Sequence, residues 1–499
     1  MRDTDAPYAY RAVTVPAVNR AVVVIAGAVT VVLVVFAGGY GYHRDELYFL
    51  EAGRHLDWAY ADQGVLTPLL ARAMDTIAPD SLTLFRLPAA IAAGLTVLLT
   101  GLLARELGGS RRAQLIAAAC AAVGVIVLFT GHMLSTSTFD LLAWTAITWL
   151  AVRGVQERGP SPFLQAGVVL GLALMNKPLP AFLAVGLLIG VAIAGPRELL
   201  RRRYVWAGAL IALLIWSPWL LWQQANGWPQ IDVSRSIAEG GSTSAEPRWA
   251  IVPFQFLLIS PLLAPVWIAG LVRLFRDPEI RPYRFLAWTW VALAAIFMVT
   301  GGKPYYLAGL LPALLAAGAI ATDEWLQRGR PVARKATLAT AIGLSALIGG
   351  TISLPILPEK DADPVLAVNE DVGETIGWPE FTDQIAAVHR RTPGAVIFTG
   401  SYGEAGAIDR YRAANDLPHA YSGHNAYGDW GPPPPRDDAK PVVAVGIAAA
   451  NLRAHFRGCR VTAHISTGVD NEEDGRPVST CTRVRGSWRE QWPRLRHLG

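Results

Sequence analysis

Nine long apolar runs, near residues 20–42, 82–104, 112–132, 135–152, 204–222, 251–272, 285–300, 304–322 and 336–357, constrain this chain more than any other feature. A helix crosses a hydrocarbon layer in roughly 17–25 residues, and these runs are of about that length. A further run, 162–195, is interrupted by Lys177-Pro178-Leu179-Pro180. Proline removes a helical N–H and clashes with the preceding turn, so this run reads as two short helices meeting at the break. The expectation is a polytopic α-helical membrane protein of about eleven transmembrane helices. A chain that is 52% hydrophobic and only 17% charged is too apolar to be soluble at 499 residues. The first run continues from Ala21 to Phe36 and through Gly-Gly-Tyr without a small-residue cleavage pattern. It reads as an anchor and not as a signal peptide.

Charge orders these spans. With the N-terminus inside, the inner loops carry Arg105, Arg111 and Arg112; Arg153 and Arg158; Arg197 and Arg201 to Arg203; Arg273, Arg276, Arg281 and Arg284; then Arg328, Arg330, Arg334 and Lys335. Short inner loops of membrane proteins are basic in this way, and an odd number of spans puts the C-terminal part outside. The net charge of +5 therefore describes topology. No basic stripe with interleaved aromatics is present, which argues against a nucleic-acid partner.

That topology gathers the remaining polar residues on the outer face: the loop 43–81, His132, the break at Lys177, the loop 223–250 and the turn Gly301-Gly302-Lys303-Pro304. Directly after the first apolar run stands Tyr42-His43-Arg44-Asp45-Glu46-Leu47-Tyr48-Phe49. An ionised side chain is costly near lipid, so paired carboxylates here read either as a general base or substrate ligand, or as a solvated helix cap. The chain has five lysines, and Lys177 and Lys303 sit at outer ends of apolar runs. Snorkelling to the interface is the plain account of such lysines. Leu66, Leu69, Leu70, Ala73, Met74 and Ile77 recur at helical spacing and predict an amphipathic helix lying on the membrane surface. The loop 223–250 ends in a Gly/Ser-rich stretch around Gly240 to Ser244, which reads as a mobile lid.

Beyond Pro355 and Pro358 the pattern changes, dividing the chain into a transmembrane part, 1–357, and an outer domain, 358–499. Helices are expected near 379–391, after Tyr402 and near 447–457. Strands are expected at Ala395 to Thr399, Val442 to Val445, Val461 to Ile465 and Thr480 to Val484, giving a small α/β domain. Cys120 lies in an apolar run, whereas Cys459 and Cys481 share the outer domain and can pair if it faces an oxidising space.

Asp45, Glu46, Asp62, Asp140, Lys177, Lys303, Tyr305 and Tyr306 all fall near one face of the membrane. Acids beside cations at a lipid-facing cavity suit a substrate carrying both a phosphate and a hydroxyl to be activated, such as a lipid-linked phosphosugar. A phosphate monoester has its second pKa near about 6 and leaves unprotonated, so one carboxylate base suffices where an inverting glycosidase needs an acid as well. Lysines then hold the phosphate, with Arg86 a weaker candidate that also suits a helix anchor. A divalent cation, Mg2+ or Mn2+, is compatible with His43, His132 and the acids, although no metal-ligand spacing is present. In the outer domain Glu404, His424 and Asn425 are candidates for touching a glycan or acceptor, and Trp430 for stacking on a sugar or packing.

At these residues the chain resembles the family 39 membrane glycosyltransferases, relatives of protein O-mannosyltransferases and aminoarabinose transferases. The resemblance rests on Tyr42 to Phe49, Tyr60-Ala61-Asp62-Gln63 with Leu66-Thr67-Pro68, Ser135 to Asp140, Asn176-Lys177-Pro178 and Gly301 to Tyr306. It extends to Glu374 to Trp378, Tyr402 to Ala407 and Ser422 to Asn425. It implies the C-type glycosyltransferase fold in the cytoplasmic membrane of a bacterium, with site and C-terminal domain extracytoplasmic. It further implies inverting transfer from a polyprenyl-phosphate sugar to a hydroxyl on a protein, glycolipid or cell-envelope glycan. Asp45 is then the base, Glu46 and Asp140 support acceptor or donor binding, and His43, Asp62, Gln63, Arg86, His132, Lys177, Lys303, Tyr305 and Tyr306 line the substrate. Gly64-Val65 departs from the family, where two prolines are expected, and bears on the shape of the loop beside Asp62. Two other classes compete: a transporter or flippase of lipid-linked sugars, and a membrane-anchored glycan-binding protein without catalysis. A transporter site lies near the midplane between repeats, and no repeat is evident here. A mere anchor needs no such number of spans.

Overall fold

A computed structural model describes residues 15–157, 159–240 and 247–498. Arg158 and most of the Gly/Ser stretch read as a lid therefore lie outside the described residues. Five helices are long and apolar enough to cross a membrane: Leu82–Glu106, Arg203–Ala225, Arg281–Thr300, Pro304–Gln327 and Pro331–Ser353. Two bent pairs raise this to as many as seven, and Arg20–Phe36, Ser161–Leu174 and Pro180–Ala194 are shorter apolar helices. The eleven crossings expected from sequence exceed what length and apolarity alone support. The break at Pro178 and Pro180 falls as expected, between Ser161–Leu174 and Pro180–Ala194. Two runs read as continuous are sharply bent instead. Arg111–Ala122 and Val125–His132 meet at 56°, and Arg248–Ile259 and Pro261–Arg276 at 92°. The second bend sits where Ser260 precedes Pro261, whose ring disfavours helical backbone at the residue before it.

Loop 43–81 folds into two helices, Arg44–Arg54 and Leu66–Ile77. The second buries Thr67, Pro68 and Ala71 and leaves Leu69 and Ile77 exposed. Loop 223–250 contains the helix Pro229–Ala238, and Ala238 packs against Gly301, the left-handed residue that ends the helix before Lys303.

The C-terminal part builds seven strands: β1 (Val396–Thr399), β2 (Ala420–Ser422), β3 (Val442–Val445), β4 (Phe456–Arg457), β5 (Arg460–His464), β6 (Pro477–Cys481) and β7 (Arg483–Val484). Five of them form a sheet in the order β2-β1-β3-β6-β5, parallel across β2-β1-β3 and antiparallel thereafter. The short β2, which packs Ala420 and Ser422 inward, has no alternating run long enough to be read from sequence. Cys459 and Cys481 are disulfide-bonded. Non-reducing mass spectrometry of the protein from its native membrane should find that bridge, and two free thiols there would contradict it.

The helix Arg44–Arg54, grouped by sequence with the membrane part, belongs to the core of the C-terminal domain. Leu47, Tyr48 and Leu50 share one buried cluster with Trp378, Phe381, Ile385 and Ile408. The approach is close because the facing helix Tyr402–Asn415 presents Gly403 and Gly406. A Cβ on Gly403 would lie 2.8 Å from Arg44 Cβ, and one on Gly406 2.9 Å from Leu47 Cβ. Missing side chains at this spacing let two backbones meet, and the domain is thereby seated on the helix that carries the acidic pair.

Candidate active site

Successive residues of a helix point about 100° apart, so Asp45 and Glu46 cannot share a destination. Glu46 turns inward and is fully buried. Its Oε1 accepts from Arg86 Nε (2.9 Å) and from the Leu134 N–H (2.8 Å), and its Oε2 from Arg86 Nη2 (2.7 Å) and the His43 N–H (2.9 Å). Arg86, equally buried, also donates to the carbonyls of Ala37 (2.9 Å) and Gly41 (2.8 Å) and lies 3.2 Å from His132 Nε2. Glu46, expected with the catalytic acids, and Arg86, expected beside the substrate, are thus engaged with each other and with backbone groups, and His132 lies next to them. With every oxygen already engaged, the pair pins the first helices to the site helix and has no hydrogen-bonding capacity left for a ligand. The arginine takes the helix-anchor role, since a planar fork suits a bidentate carboxylate.

Asp45 turns outward, and one third of its side chain is exposed. The Tyr402 hydroxyl, 357 residues away in the chain, donates to its Oδ1 at 2.7 Å. Burial works to raise the Asp45 pKa, but His43, Arg44, the Tyr402 hydroxyl and Lys303 together outweigh it and hold the carboxyl below its ordinary range. The group is therefore an ionised carboxylate at neutral pH. His43 caps the helix, its Nδ1 accepting from the Asp45 N–H (3.1 Å), while its Nε2 lies 3.2 Å from Glu374 Oε2. Arg44 Nε is 2.7 Å from the same Glu374 oxygen, and Arg44 Nη1 is 2.6 Å from Glu472 Oε2. Burial pushes Glu374 up to about 7 against the pull of Arg44 and His43. His43 is thus engaged as cap and bridge.

The lysines converge on the same place. Lys177 Nζ stands over the rings of Tyr305 (5.4 Å) and Tyr306 (5.3 Å), a cation–π arrangement that stores a positive charge without neutralising it. Lys303 feels Lys177, Asp45, Arg44 and Asp371, and burial first, then its cationic neighbours, lowers its pKa to about 8. Asp140, buried, lies within electrostatic reach of Lys177. Asn176 aligns this corner: its Oδ1 accepts from Thr67 Oγ1 (2.6 Å) and its Nδ2 donates to the Thr136 carbonyl (2.8 Å). The departure at Gly64 has its reason here. The Gly64 N–H donates to the Asn176 carbonyl at 3.0 Å, a bond no proline makes, and a Cβ at Gly64 would overlap the Met175 carbonyl oxygen.

Asp62 bridges the two parts of the protein. Its Oδ1 accepts from the Tyr48 hydroxyl (2.9 Å) and its Oδ2 from Asn425 Nδ2 (3.2 Å). Burial raises it to about 6, with Asp45 and Asp429 adding to the rise. Gln63 is buried beside it, and its Nε2 has no hydrogen-bond partner among the described residues. Of the outer-domain candidates, Asn425 reaches Asp62, and His424 lies against Tyr402 (4.7 Å between centroids) and stacks on His497 (4.6 Å). Glu404 differs from expectation: it is fully buried, its Oε2 accepting from the Ser401 N–H (2.8 Å) in a capping box that starts the Tyr402 helix. Burial and Glu473 push its pKa well up, and its capping box fixes the start of the helix that carries Tyr402. Trp430 stacks on His55 at 4.5 Å as a packing residue.

Sequence reasoning assigned no role to Tyr402, Glu374, Tyr48 or Asp371. Tyr402 and Glu374 lie in runs that carry the family resemblance, but only folding shows that they meet the helix Arg44–Arg54. Among the described residues, His43, His132 and the site acids do not form a set of metal-ligating atoms; the set that does lies elsewhere.

Residues 62–222 match the family model described as dolichyl-phosphate-mannose-protein mannosyltransferase. Undecaprenyl phosphate-alpha-4-amino-4-deoxy-L-arabinose arabinosyl transferase 1 of Pseudomonas fluorescens strain Pf0-1 is 28% identical over 294 residues, 54% of this chain and 50% of that protein. The corresponding transferase of Pseudomonas savastanoi pv. phaseolicola is 28% identical over 338 residues, 64% of this chain and 61% of that protein. The chain thus spans about half to three-fifths of the curated relatives it matches. ArnT from Cupriavidus metallidurans, solved bound to undecaprenyl phosphate, superposes with a TM-score of 0.60 at 15% identity, over 93% of this chain and 98% of that one. At that identity the likeness establishes the fold.

Proposed function

We propose, from the chain's place among the membrane glycosyltransferases of C-type fold, that it moves a sugar from a polyprenyl-phosphate donor to a hydroxyl acceptor on the extracytoplasmic face. The observation that carries this reading is one reachable, ionised carboxylate, Asp45, whose charge is felt by Lys303, with Lys177 alongside. The acceptor hydroxyl attacks the anomeric carbon from the face opposite the phosphate. A carbon–oxygen bond to the acceptor forms as that to the phosphate breaks, and the hydroxyl proton passes to Asp45 with inversion at carbon. Such a base is worth about 10²–10⁴-fold. Lys177 and Lys303 meet the charge that grows on the departing phosphate, where preorganised cations act most strongly. Tyr402 orients Asp45, and Asp140 supports the lysine corner. The relatives' undecaprenyl-phosphate-linked donors point to the same lipid class here. The acceptor is a hydroxyl of a protein, glycolipid or envelope glycan. Profiling the lipids and glycans of a strain lacking the gene tests this: a polyprenyl-phosphate sugar should accumulate and one decoration should vanish, and an unchanged profile of both would refute it.

Lys303→Ala should weaken binding of the donor by about 1.5–3 kcal/mol, roughly ten- to a hundredfold, as expected when a hydrogen bond to a charged group is lost. Because the free lysine titrates near about 8, donor affinity of the unaltered protein should fall as pH rises through that value and the ammonium is lost. Affinity measured against pH should show this step in the parent and not in the variant. A variant that loses acceptor binding instead would count against phosphate recognition.

A further inference from the structure

We propose that Glu51, Asp409 and His419 form a divalent-cation site, best suited to zinc, that clamps the C-terminal domain to the helix carrying Asp45. Each offers a ligand atom, and the three atoms lie within 4.8 Å of one another. They come from separate elements: Glu51 from the last turns of the helix Arg44–Arg54, Asp409 from the helix Tyr402–Asn415, and His419 from the residue before β2. Glu51 and Asp409 are 5% and 4% exposed. Two buried carboxylates and one imidazole from three elements converge on one point, and one nitrogen with two carboxylate oxygens is a donor set that zinc accepts.

The surroundings are already those of a ligated carboxylate. Asp409 Oδ1 accepts from the Ala420 N–H (3.1 Å) and lies 2.9 Å from His419 Nδ1, and Asp409 Oδ2 accepts from the Tyr427 hydroxyl (3.2 Å). Glu51 Oε2 is held by Arg54 Nη1 (2.8 Å), and Glu51 Oε1 lies 3.5 Å from His55 Nδ1, one helical turn further on. Such outer partners fix the orientation of the ligands. His419 is 35% exposed and lines a cavity of about 210 Å3 with His389, Pro418, Tyr421, Asp437 and Lys440, so the imidazole is the ligand open to solvent. Zinc–oxygen and zinc–nitrogen distances of about 2.0–2.2 Å require the three side chains to draw together. With the metal on Nδ1, the imidazole keeps its one proton on Nε2. Glu51 follows Asp45 by six residues, roughly 9 Å along the helix axis, so the clamp holds the same helix that presents the base.

The experiment uses the full-length protein in nanodiscs, its affinity tag removed and metal stripped with EDTA, titrated with zinc alone by calorimetry. One zinc per chain should bind, and zinc should restore thermal stability lost to the chelator. His419→Gln should weaken binding about tenfold or more, and Glu51→Gln should do the same on the membrane-helix side if the first variant folds poorly. No stoichiometric zinc, or zinc bound equally well by both variants, overturns the site. Neither readout depends on transfer activity, so the clamp and the proposed reaction stand or fall separately.

Discussion

Asp45→Asn should abolish transfer while the protein stays folded and still binds its lipid donor. The substitution keeps the shape of the side chain and an oxygen able to accept from the Tyr402 hydroxyl at 2.7 Å, so the seat of the C-terminal domain is preserved. What it removes is the lone pair that takes the acceptor proton. Loss of a positioned base lowers the rate by about 10²–10⁴-fold, against a thermal stability and a donor affinity that move little. Turnover, unfolding temperature and donor binding measured on the same preparation separate these effects. An Asn variant that transfers at the parent rate would remove Asp45 from the chemistry and leave the reading without a base.

Arg86→Met should have its largest effect on folding. The guanidinium and the Glu46 carboxylate are both fully buried, and Arg86 also satisfies the carbonyls of Ala37 and Gly41. Removing one member of a buried pair strands the other, at a cost of about 3–5 kcal/mol. The unfolding temperature and the yield of folded protein should drop sharply. A Glu46→Gln, Arg86→Met double variant should recover part of the loss, because the stranded charge is gone. A single variant as stable as the parent, with donor binding lost, would return Arg86 to the phosphate. The two predictions differ in kind although the acids are adjacent in sequence: Asp45 is proposed to act on substrate, whereas Glu46 is enclosed in the fold.

Several features were legible from residue order. The two helices meeting at Lys177-Pro178-Leu179-Pro180 follow from what proline does to backbone hydrogen bonding, and the helix Leu66–Ile77 follows from its spacing. Short β-branched apolar runs bounded by Gly and Pro make the strands β1 and β3 legible. The sharp bend at Ser260-Pro261 was missed, since the hydropathy of the run is continuous through it. The candidate acids, lysines and tyrosines could be named because charge near lipid is costly enough to need a reason.

Local chemistry, then, settled which residues are apolar enough to enter a membrane, where helices must break, and which ionisable groups stand at their mouths, because those depend on near neighbours in the chain. Only the folded chain decided that Glu46 is enclosed by Arg86 and Asp45 is not, that Tyr402 and Asn425 arrive from the far end of the chain, and that Gly64 ties its loop to Asn176. Burial, ion pairing and pKa depend on the whole three-dimensional surroundings of a group, and no spacing along the sequence encodes them.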